Sequence, residues 1–98
     1  MKIVPGAYVI VRADRAGVFA GTLVARDGDT VTLAEVRRLW RWAGAASLSE
    51  LAQRGSSTPE KCRFPVEVSE ELIFGAIEII AVTDAARASI KEVPVWTR

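Results

Sequence analysis

Apolar residues fill the first third of the chain in short, dense blocks separated by glycine, proline or charge. Residues 7–13, AYVIVRA, are largely β-branched and follow Pro5-Gly6, which predicts a strand. Residues 17–26, GVFAGTLVAR, predict a second, in which Gly17 and Gly21 permit a bend or a close backbone approach. Asp27-Gly28 comes next. It is the strongest hairpin signal in the chain, because a type I′ turn needs positive φ at both centres. Residues 30–34, TVTLA, then alternate, with Val31 and Leu33 on one face and Thr30 and Thr32 on the other. Such alternation predicts a sheet with one face towards water.

The stretch RRLWRWAGAASLSELAQRG, residues 37–55, changes the rhythm. Over 36–42 a helical period gives no clean stripe. A strand period places Arg38, Trp40 and Trp42 on one face and Arg37, Leu39 and Arg41 on the other, so a strand is predicted. Ala43 to Ala46 form a small-residue bend. Ser47 then opens a helix of about two turns. Its hydroxyl is expected to accept from the N3 amide, and Glu50 to reach back to the Ser47 amide, as in a capping box. Leu48, Leu51 and Ala52 form its apolar face, and Gly55 ends it. Residues 56–65 read as a polar loop. Strands are predicted at 66–68 and at 72–82, LIFGAIEIIAV; the second is nearly all apolar, which predicts a central strand. Thr83 is placed to cap a short final helix through about Lys91, and VPVW, residues 93–96, offers an edge strand.

These elements predict a mainly β (α+β) chain. The expected architecture is a small, strongly bent antiparallel β-barrel over residues 1–98, one domain, with a helix-bearing insert at about 43–65 and a short C-terminal helix. Half of the 98 residues are hydrophobic, which is high for so small a core and predicts a homo-oligomer. The formal net charge of +1 argues against a general nucleic-acid coat. A single cysteine, Cys62, excludes an internal disulfide framework and fits a reducing cytoplasm. The opening MKIVPGAYVIVR has too short an apolar run for a secretory signal, and no run approaches the ~20 residues of a membrane helix.

Two resemblances extend this picture. The order glycine-bent strand, hairpin, alternating strand in GVFAGTLVARDGDTVTLAEV resembles the first motif of Sm-like barrels, a class of small SH3-like folds, and LIFGAIEII resembles their second. The resemblance implies the barrel and, in its usual form, an RNA-binding ring. Phe74 stands where the Sm pattern has an RNA-gripping arginine, and the hairpin lacks the base-holding asparagine, so RNA is disfavoured as the partner. Across nearly the whole chain, from YVIVR through RRLWRWAGAASLSELA to VPVW, the sequence also resembles a family of small uncharacterised proteins of tailed bacteriophages. That implies a viral protein working in the cytoplasm of a bacterial host; it brings no activity with it.

The chemistry available is narrow. The chain has no histidine, which removes the commonest general base and metal ligand, and one cysteine cannot serve zinc. There is no P-loop or GxGxxG run, so neither an enzyme, a cofactor nor a metal is expected. Glu67, Glu70 and Glu71 read as a solvated acidic loop. The remaining candidates are Arg37, Arg38, Trp40, Arg41, Trp42, Ser47 and Ser49. Indoles offer flat faces to a base, guanidinium groups offer a fork to phosphate, and a helix start offers amides to an anion. The combination predicts a nucleotide-type small molecule, held without turnover, as in a phage protein that sequesters a host immune signal. The same indoles also suit a barrel core or a subunit interface.

Overall fold

The computed structural model describes residues 2–97. Five strands and two helices follow one another: β1 (Tyr8–Ala13), β2 (Gly17–Asp27), β3 (Thr30–Arg38), α1 (Leu48–Arg54), β4 (Val68–Ile73), β5 (Ala76–Ala81) and α2 (Asp84–Glu92). The strands form one antiparallel sheet in the order β4-β3-β2-β1-β5. The mainly β, α+β class is thus what the chain adopts. None of the described helices is long and apolar enough to cross a membrane.

The sheet divides the apolar residues into two cores. Tyr8 and Ile10 of β1 face one, with Leu39, Leu51, Phe64, Ala86 and Ile90; α1 and α2 cover this side. Val9 and Val11 face the other, with Phe19, Leu23, Val31, Leu33, Val36 and Ile73, inside the bend of the sheet. A strand buried on both faces needs an unbroken apolar run, and YVIV supplies it.

The run 72–82 is not the central strand that its composition predicts. Gly75 lies at φ +77°, and the chain breaks there into β4 and β5, the two edges of the sheet. Gly75 O accepts from Asp14 N, and Ala76 N donates to Asp29 O, so this turn is fastened to both hairpin ends of the sheet. β4 and β5 share no ladder among the described residues, and Leu72, Phe74 and Ile77 stay exposed. Val66 and Glu67 precede β4 rather than form a strand, and residues 93–96 contribute only an isolated parallel bridge, Phe64 to Val95.

The β2–β3 turn also differs from expectation. Its two central residues are Gly28 and Asp29, and only Gly28 has positive φ, the signature of a glycine-first hairpin turn rather than type I′. Further along, Glu35 sits at φ +47° where the register shifts opposite Gly21. One extra residue on β3 is a bulge, and it reverses which side chains point to each core. Val31 and Leu33 precede the reversal; Val36 and Arg38 follow on the same side. A Cβ on Gly21 would come within 3.0 Å of Ala34 O, so the absent side chain lets the strands close around the bulge.

Both helices start as their caps predict. Ser47 Oγ accepts from Glu50 N at 3.1 Å, and Thr83 Oγ1 accepts from Ala86 N at 3.1 Å. Glu50 reaches one residue further back than a capping box requires, taking the amide of Ala46 at 2.6 Å. Gly55 closes α1 at φ +76°, its amide on Leu51 O, packed against Ser89 of α2. Cys62 is buried, its sulfur within 3.4 Å of the Ala43 amide and of Ser56 Oγ.

Candidate functional site

Four of the seven candidate residues lie away from any shared site. Arg37 is only 3% exposed. Its guanidinium donates to the carbonyls of Phe64 (2.7 Å), Val93 (2.8 Å), Ile90 (2.9 Å) and Pro65 (3.1 Å), with a long contact to Pro94 (3.5 Å). The bulge turns it to the helix-covered side, where a cation meets the carbonyl end of α2. Burial lowers its pKa from the ordinary arginine value. Arg37 is therefore part of the frame, and its expected ligand role is corrected. Ser47 spends its hydroxyl on the cap of α1, a helix of seven residues, and Ser49 is exposed on the first turn. Arg41 bridges Arg63 through backbone hydrogen bonds and points its side chain to solvent, because β3 has ended at Arg38. The strand expected over 36–42 thus stops before the indoles.

Arg38, Trp40 and Trp42 do come together. They line an open cavity of about 310 Å³ whose opposite wall is Ala16, Gly17 and Val18 at the start of β2. Leu39 N donates to Val18 O, fixing the segment beyond β3 against β2 and setting the depth of the cavity. Trp42 is half-buried and packs on the helix-side core. Trp40 is 57% exposed.

Arg38 is fixed in direction. Its guanidinium donates to Ala16 O and lies 4.5 Å from the centre of the Phe19 ring. This uses one of its several N–H donors. Among the described residues no carboxylate lies within ion-pair distance of it. A second cavity, about 510 Å³, shares Arg38 and Ala16 with the first.

Trp40 has a partner that local patterns do not reveal. Its ring stacks on Trp96, centroids 5.0 Å apart and planes 13° from parallel. Arg63 stands 5.6 Å from one ring centre and 5.5 Å from the other. A cation equidistant from two stacked rings lies beside the pair, and Trp40 stays largely exposed. Trp96 is held by its amide on Phe64 O and by the Arg37 bonds to residues 90–94. The sequence signals for this pair are only a third tryptophan and the bridge-forming VPVW.

Tyr8 is a separate feature. It is 6% exposed, and its hydroxyl is the buried side-chain oxygen left without a hydrogen-bond partner among the described residues. Burial, and then the charge of Glu67, push its pKa up to about 12. No group of three or more His, Cys, Asp or Glu side chains placed to hold a metal occurs among the described residues.

No curated protein and no solved structure matches this chain. One family model does, over residues 6–90, a span that takes in every strand and nearly all of α2. The chain therefore belongs to the family described as a domain of unknown function, DUF6948.

Proposed function

We propose that this protein binds a phosphate-bearing, nucleotide-type small molecule without turning it over. The observation that carries the reading is the pairing of an oriented guanidinium, Arg38, with the exposed indole of Trp40 in the lining of one cavity. An anion satisfies the unspent donors of Arg38 through a forked contact, and a base stacked on Trp40 adds about 1–3 kcal/mol. The walls of that cavity are Ala16, Gly17, Val18, Arg38, Leu39, Trp40 and Trp42, which include no nucleophile and no group suited to general acid–base work near neutral pH. In the phage setting that the sequence resemblance implies, such a protein would sequester a nucleotide-type signal of host defence in the bacterial cytoplasm.

Self-association belongs to the same proposal. β4 and β5 leave their outer edges unpaired among the described residues, and exposed Val68, Leu72 and Ile77 lie on them. Open apolar edges are templates for pairing with another chain.

The test is a melting-shift screen with mono-, di- and cyclic nucleotides at up to millimolar concentration, with an oligoribonucleotide arm at low salt. The proposal expects a nucleotide to raise the melting temperature of the parent, and Arg38→Met to remove the rise. No rise across the panel contradicts it. A rise with RNA alone favours an Sm-like RNA-binding ring instead.

A further inference from the structure

We infer that the ligand carries two planar groups joined through phosphate, one group on each side of Arg38. This rests on the nucleotide reading above and names the ligand class more narrowly.

The two cavities share Arg38 and Ala16 as a common wall. Arg38 therefore borders both. Ala16 O and the Phe19 ring hold its guanidinium there, and no carboxylate of the described chain neutralises it. A phosphate on this group sits at the junction, and whatever the phosphate carries runs into both spaces.

The two spaces differ in character. The smaller is lined by the indoles of Trp40 and Trp42, and Trp40 is exposed enough to receive a stacked ring. The larger, at about 510 Å³, has Phe19 at its base and Leu72 and Phe74 at its mouth. Phe74 is 65% exposed and Leu72 56%, so this end of the fold presents apolar rings and chains to water in a concave setting. Asp14, Arg15 and Glu71 also line it. The carboxylates accept hydrogen bonds from N–H and O–H groups, and Arg15 balances part of their charge. Apolar walls beside hydrogen-bond acceptors thus suit a flat group bearing donors, such as a nucleobase with an exocyclic amine and its ribose. A mononucleotide fills one cavity and leaves the other wet; a dinucleoside phosphate fills both.

The experiment compares, by calorimetry on the full chain, the four homodimeric dinucleoside monophosphates with the methyl phosphate esters of the same nucleosides. The esters keep the diester charge and lack the second base. The expected result is at least one dinucleoside phosphate binding about tenfold or more tighter than its ester, the fold-change of one additional stacked base. Phe74→Ala then brings the two affinities together, with melting of the variant confirming that it folds. Equal affinity of dinucleotide and ester overturns the inference and leaves the nucleotide reading standing. Tighter dinucleotide binding that survives Phe74→Ala and Leu72→Ser undiminished also overturns it, since the second group then lies elsewhere. Binding of neither class at millimolar concentration removes both.

Discussion

Replacing Arg37 by methionine is expected to loosen the whole C-terminal third of the protein. The methionine keeps much of the apolar stem and removes every donor. Four carbonyls between 2.7 and 3.1 Å lose a charged partner: those of Phe64, Pro65, Ile90 and Val93. A hydrogen bond to a charged group nets about 1.5–3 kcal/mol. That figure is already net of desolvating the guanidinium, which is 3% exposed. Four bonds from one group do not add in full, so the loss is set at about 3–5 kcal/mol. A domain of this length has about 5–15 kcal/mol in total. At roughly 4–8 °C per kcal/mol, the melting temperature should fall by at least about 12 °C. Arg37→Lys keeps the charge but not the planar fork, and should fall between parent and methionine variant. Thermal unfolding followed by circular dichroism measures the shift. Hydrogen exchange locates it, with the amides of Val93 and Trp96, both bonded to backbone carbonyls in the parent, exchanging faster. A fall below about 4 °C would refute the reasoning. So would retained stability with loss of nucleotide binding, which would return Arg37 to the ligand-binding set.

Other expectations follow from single contacts. Tyr8→Phe deletes a buried hydroxyl without a partner, so urea unfolding should show equal or greater stability, by up to about 1 kcal/mol. The same variant carries a pH signature. Burial holds the folded pKa of Tyr8 at about 12, above the ordinary tyrosine value of 10.0, so its contribution is complete below pH 10 and is lost as pH rises towards 12. At 1.36 kcal/mol per pKa unit the parent should lose roughly 2–3 kcal/mol more than Tyr8→Phe across that window; parallel curves would count against it. Gly55→Ala combines positive φ with a collision against the Ser89 side chain and should cost about 2 kcal/mol or more in a denaturant titration.

Local signals in the sequence were informative where the physics is local. The caps Ser47 and Thr83, the stop at Gly55 and the alternation of Val31 and Leu33 all describe interactions within a few residues, and the chain follows them. Apolar content predicts a central strand at 72–82 because it does not distinguish a covered strand from an exposed edge. Gly75, at positive φ, is the local mark of the break. The bulge at Glu35 has no clear sequence mark, yet it decides that Arg37 faces the core and Arg38 the Phe19 side. Of the expected site, Arg38, Trp40 and Trp42 share a cavity, whereas Ser47 is occupied by its own helix. The Trp40–Trp96 stack joins distant segments through the frame that Arg37 holds, so no periodicity announces it.

The central claim is that a planar, phosphate-bearing ligand lies on Trp40 beside Arg38. Titration of intrinsic tryptophan emission tests it most directly, with the tightest nucleotide from the melting screen and with Trp40→Phe beside the parent. Saturable quenching is expected in the parent, and most of that quenching is expected to be lost in a folded Trp40→Phe. Quenching that persists in full in the variant, or none at millimolar ligand, would contradict it.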